Sequence, residues 1–123
     1  MDDEIRDRLM LARTYAEQAI AAGARFDYAR DALGMAAVAH SIEQVGEQFV
    51  AIERQDRDFP VAHPEIPWRH VQATRHRIVH GYEMVDHDVI RGIIEIHLPE
   101  LLRQIDRILG PSDEADGPQR PPS

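Results

Sequence analysis

The sequence predicts an all-α protein: an up-and-down bundle of four to five helices joined by short connections. Apolar residues recur every three or four positions through several long stretches, and no stretch alternates apolar with polar residues as a half-buried strand would. Apart from Pro99, the prolines gather in one internal loop and at the C-terminal end, leaving the periodic stretches intact. With 123 residues the chain holds one core and not two. Residues 1–109 are therefore read as one helical domain, and residues 110–123, rich in Pro, Ser, Asp and Glu without periodicity, as a disordered tail.

Asp2 to about Ala22 reads as the first helix, with Ile5, Leu9, Ala12, Ala16 and Ile20 on one face. Its opening acids, Asp2, Asp3 and Glu4, complement the positive end of the helix dipole, and Gly23 is expected to stop it. A second helix is expected from about Asp27 to Glu53, with Leu33, Met35, Val38, Ile42, Val45, Phe49 and Ile52 on its apolar stripe. Gly34 and Gly46 interrupt it at about 1 kcal/mol each in helix propensity, which points to close packing by a neighbour. Gln55 to Pro67 reads as the one internal loop. The third helix runs from Trp68 to about His80, with Trp68, Val71, Ile78 and Val79 as its buried candidates. From Asp86 to Leu109 helical spacing continues through Pro99, so this stretch reads as one kinked helix or two nearly collinear ones.

Composition narrows the function. There is no Cys, hence no disulfide framework or thiolate metal site, and no apolar run approaches the roughly 20 residues that cross a bilayer. The acidic start is unlike a secretory signal, so the expected location is the cytoplasm, with no membrane partner. A net charge of -8 argues against nucleic-acid binding by bulk charge, so any such contact must be local.

One stretch inverts that charge. From Ile66 to Tyr82 there is no Asp or Glu, while Arg69, His70, Arg75, His76, Arg77 and His80 all fall inside. Arg offers a planar fork matched to phosphate oxygens, and His moves protons near neutral pH. Arg75 and His80 lie roughly 140° apart around an ideal helix and cannot share a face. Either the helix ends near Val79, with Gly81 as a left-handed cap that lets His80 swing round, or a second copy of the chain completes the site. His76 and His80 are spaced i, i+4 like a zinc pair, but no Glu follows His76 and Arg75 and Arg77 would repel a dication; no metal is expected. The plainer readings are a capping histidine for His80, a core-edge residue for Tyr82 and a core anchor for Trp68. His70, His87 and His97 read as incidental.

Arg75-x4-His80-x-Tyr82 resembles the RxxxxHxY motif of the HepT toxins, a branch of the HEPN ribonucleases. Ile42-x2-Val45-Gly46-Glu47, the His63-Pro64-Glu65-Ile66-Pro67-Trp68 loop and the Val85-Asp86 to Leu101 segment are similar to further stretches of that family, so residues 5 to 109 are covered. The residue after the motif Arg is often Asn in this branch and is His76 here; the wider superfamily accepts Asn, Asp or His.

The resemblance implies an all-helical homodimer whose two motifs meet across the interface, acting on RNA as a metal-independent endoribonuclease toxin with no cofactor. It makes Arg75 and His80 catalytic, with His76 assisting, and Glu47 and Arg77 supporting candidates. Glu47 either holds a motif Arg or faces solvent. The implied partner is a minimal, ATP-using nucleotidyltransferase antitoxin of a type VII-like system, which silences the toxin by transferring AMP to Tyr82. The rival expectation is a non-catalytic helical subunit that binds such a transferase and presents a substrate to it.

Overall fold

The computed structural model describes residues 1–110. Apart from Gly110, the tail expected over residues 110–123 lies outside the described residues. Six α-helices follow in order: α1 (Asp3–Arg25), α2 (Ala32–Gln55), α3 (Phe59–Ala62), α4 (Trp68–Val79), α5 (His87–Gly92) and α6 (Leu98–Leu109). A 3-10 turn, Tyr82–Met84, follows α4, and a π-helical turn, Ile93–His97, joins α5 to α6. Among the described residues there is no strand, in agreement with the expected all-α bundle.

The two long helices form the scaffold. α1 packs along α2, α4 lies on the other side of α2, and α6 lies on α1. The α1–α2 seam is apolar and closely packed: α1 contributes Ala12, Ala16 and Ala19, all fully buried, against Val38, Ala39, Ile42 and Val45 of α2. The buried Ser41 is satisfied on both counts: its hydroxyl donates to the Ala37 carbonyl and accepts from Gln18 Nε2, each at 2.9 Å. Arg13 reaches Asp106 at 3.1 Å and ties α1 to α6.

Several boundaries differ from the sequence reading. α1 does not stop at Gly23. It continues to Arg25, and Gly23 is where the Ile94 side chain lies so close that a Cβ would meet its Cδ1 at 2.7 Å. The glycine serves packing rather than termination. α2 begins at Ala32, five residues later than expected, because the Asp31 carboxylate accepts from the N–H groups of Leu33 and Gly34 and so sets the N-cap. Leu33 then falls in the first turn beyond the bundle and is exposed rather than part of the stripe. The internal loop contains one turn of helix, α3, which buries Phe59 against Trp68.

The kink expected near Pro99 takes the form of the π-turn. Proline has no N–H to give and its ring would press on the carbonyl four residues back, that of Glu95. The chain answers by widening one turn, so that the Leu98 N–H bonds to the Ile93 carbonyl five residues earlier. The apolar phase survives: Ile90, Ile93, Ile94, Leu98, Leu101, Ile105 and Leu109 are all buried.

Candidate functional site

The loop before α4 fixes where the basic helix sits. Ile66 is buried, and so is Trp68 two residues later. The Trp68 indole meets Phe49 edge-on at 5.2 Å and Phe59 at 6.0 Å, while its Nε1–H donates to the His63 carbonyl at 2.9 Å. Gln104 of α6 donates to the Glu65 carbonyl at 2.9 Å and holds the loop from the far side. The large aromatic body is thus packed and its one polar atom bonded, as a buried Trp requires. Trp68 is a core anchor, so the first turn of α4 cannot slide along α2.

Two turns further on, Arg75 crosses the α2–α4 seam. Its Nε donates to Glu47 Oε2 at 2.8 Å and its Nη2 donates to the same oxygen. Both side chains remain partly exposed, at 27% for Arg75 and 39% for Glu47, so the pair orients more than it stabilises. Of the two readings of Glu47, the first holds: it is the partner of the motif Arg. Gly46 makes this approach available. A Cβ there would overlap the Arg75 Cβ and lie 2.9 Å from its Cγ. The Arg75 side chain therefore lies flat on the bare backbone of α2.

α4 ends at Val79, and His80 is its C-cap, the N–H of which still bonds to the His76 carbonyl at 3.1 Å. Gly81 follows at φ +139°, a backbone setting that L side chains rarely adopt, and turns the chain into Tyr82–Met84. The helix end expected near Val79 is present, but His80 does not swing towards Arg75. Its ring stays 4.2 Å from that of His76, on the exposed side of the helix, and among the described residues no contact links Arg75 to His80. Arg77 and Arg69 are exposed on the same helix and, among the described residues, form no ion pair with a carboxylate. Tyr82 is half-buried against the core in the 3-10 turn, off the axis of α4, so Arg75 and Tyr82 do not share a helical face. Val79, expected to be buried, is 43% exposed, because it lies on the open side of a helix whose main packing partner is α2.

Two histidines read as incidental turn out to be neighbours. His70 of α4 and His97 of the π-turn place their rings 4.8 Å apart over an apolar cleft lined by Ile42, Val45, Val71, Thr74 and Leu101. They are 27 residues apart in sequence, and no spacing rule connects them. No group of three or more potential metal-binding side chains occurs among the described residues. No helix of the described residues is long and apolar enough to cross a membrane.

Residues 10–108 match the family described as Ribonuclease HepT-like. The chain belongs to the HepT-like ribonuclease family. The match takes in every element of the seam, from α2 and Glu47 through Arg75 and His80 to α6. Among similar proteins, a candidate RNase of Caldanaerobacter subterraneus is 29% identical over 83 residues, 68% of this chain and 71% of the relative. A candidate ribonuclease HepT of Thermococcus cleftensis is 30% identical over 82 residues, 67% of this chain and 72% of the relative. No solved structure gives a significant match. Membership of the HepT-like family, together with these relatives, supports a ribonuclease function.

Proposed function

We propose that this HepT-like chain is a metal-independent endoribonuclease toxin that works as a homodimer. The observation that carries this is the division of labour along α4: Arg75 is oriented by Glu47 over Gly46, while His76 and His80 stand side by side at the exposed end of the same helix. Metal-free RNA cleavage needs those two functions. A base takes the proton of the 2′-hydroxyl, whose oxygen attacks the adjacent phosphorus. A cation stabilises the crowded, doubly charged phosphorane, and an acid protonates the departing 5′-oxygen. The products are a 2′,3′-cyclic phosphate and a 5′-hydroxyl. His80 is the proton-transfer group, His76 assists it, and Arg75 meets the phosphate, with Arg77 adding positive charge nearby.

Because His80 stays beside His76 rather than turning to Arg75, convergence of both functions on one phosphate is assigned to a second copy, whose motif faces the first across a two-fold axis. Transfer of AMP to Tyr82 by a minimal nucleotidyltransferase would then place a phosphate next to the motif and bulk in the RNA path. The cytoplasm is the proposed site of action. The test uses purified chain whose intact mass shows no added AMP, incubated with RNA in excess EDTA. Cleavage leaving cyclic phosphate ends supports the proposal, and intact RNA from unmodified protein refutes it. One observation favours the rival non-catalytic subunit: Arg75 already has a carboxylate partner. That reading predicts a stable complex with the transferase and no RNA loss with the chain alone.

A further inference from the structure

Most arginines of the outer helices are matched to acids. Arg8 pairs with Glu4, Arg13 with Asp106, Arg30 with Asp27, Arg91 with Asp88, and Arg103 and Arg107 with Glu100. Arg25 lies over the Phe26 ring. The described arginines with neither kind of partner are Arg54, Arg57, Arg69 and Arg77, and all four belong to α4 or to the end of α2 and the turn after it. In a chain of net charge -8 acids are plentiful, yet the unmatched cations all fall on the two helices that form the α2–α4 seam or directly after one of them.

Arg54 and Arg57 are not scattered. With Val50, Glu53 and Gln72 they line an open groove of about 310 Å³. The groove begins where the Arg75–Glu47 pair ends. Gln72 is one turn before Arg75 on α4, and Val50 is one turn after Glu47 on α2, each a rise of about 4.5 Å. Three carboxylates lie close by in sequence, Glu53, Asp56 and Asp58; Glu53 accepts from Gln72 Nε2 at 2.5 Å and Asp56 from the Asp58 N–H at 3.0 Å, and among the described residues none of the three forms an ion pair with Arg54 or Arg57. Both arginine side chains are exposed and turned to water.

We propose that Arg54 and Arg57 form a second phosphate-binding station, which carries the backbone of an RNA substrate along the α2–α4 seam away from Arg75. The inference rests on the ribonuclease reading above and extends it from the scissile phosphate to its neighbours. The groove is lined by two arginines, the Glu53–Gln72 pair and Val50, with no aromatic ring to stack a base, so it positions the strand without reading its sequence. From Glu47 to the end of α2 at Gln55 is eight residues, more than two helical turns, and Arg57 lies beyond that end, so a short RNA fragment would not engage the station.

The test is a salt titration of binding to a 2′-O-methylated RNA oligonucleotide, which cannot be cleaved through its 2′ position. Wild-type chain, the double variant Arg54→Gln/Arg57→Gln, Arg57→Gln alone, and Arg91→Gln as a charge-matched control are compared. Each lost phosphate contact should flatten the slope of log K against log salt by about 0.7, giving roughly 1.4 for the double variant. Its Kd at low salt should rise on the order of tenfold. Arg91→Gln should follow wild type. A double variant with the wild-type slope overturns the station while leaving the ribonuclease reading intact. A wild-type chain that does not bind RNA at all overturns that reading first, and this inference with it.

Discussion

Replacing Gly46 with alanine isolates the contact on which the site geometry depends. The added Cβ would overlap the Arg75 Cβ and stand 2.9 Å from Cγ and 3.1 Å from Cδ. The nearest of these atoms is fixed to the α4 backbone, so a side-chain rotation cannot relieve it. The start of α4 is pinned by Trp68 between Phe49 and Phe59, which leaves a tilt of the Arg75 end, by about 1 Å, as the available relaxation. Two terms act on stability: overpacking costs about 1–3 kcal/mol, and exchange of Gly for Ala in a helix returns about 1 kcal/mol. The net loss is about 0–2 kcal/mol, and each kcal/mol corresponds to roughly 4–8 °C in Tm for a domain of this size. Function should suffer more, since a misplacement of about 1 Å can lower a rate on the order of 100-fold. Calorimetry and kcat/KM for RNA cleavage on the same preparation give both numbers. A Gly46→Ala chain that folds, keeps its Tm and cleaves at the wild-type rate would refute the claim that bare α2 backbone positions Arg75.

Three further outcomes follow from the same contacts. Glu47→Gln removes the charge that orients Arg75 and should lower kcat/KM about tenfold, while the partly exposed pair costs less than about 1 kcal/mol in urea unfolding. Trp68→Ala empties the anchor between Phe49 and Phe59 and leaves the His63 carbonyl without its donor; unfolding free energy should drop by about 3–5 kcal/mol. Tyr82→Phe, incubated with ATP and a minimal nucleotidyltransferase, should gain no AMP by intact mass and keep its RNA cleavage, whereas the wild-type chain gains mass and loses activity.

How much of this was legible beforehand depends on the kind of signal each residue carries. Periodicity placed α1, α2, α4 and α6 because burial repeats with the helical turn, and it survived Pro99 because the π-turn adds a residue without moving Leu98 and Leu101 off the core. The start of α2 was missed because the Asp31 cap resembles any other polar residue when the apolar pattern upstream is continuous. Gly23 read as a stop because sequence does not show Ile94 pressing on it from 71 positions away. At the candidate site, the acid-free run and the motif singled out Arg75, His76, His80 and Tyr82, all on or next to one helix. Sequence leaves Glu47 either on a motif Arg or in solvent, because its partner stands on another helix 28 residues away. The His70–His97 contact and the groove of Arg54 and Arg57 have no local signature, since each is made by residues that meet only in the folded chain.

The proposed chemistry has Arg75 and His80 cleaving RNA without a metal. The most direct measurement is the cleavage rate in excess EDTA for wild-type, Arg75→Ala and His80→Ala chains, each verified as unmodified at Tyr82. The wild-type chain should keep full activity in EDTA, and each variant should lose on the order of 100-fold or more. Activity that requires added divalent metal, or a His80→Ala chain that cleaves as fast as wild type, would contradict that chemistry.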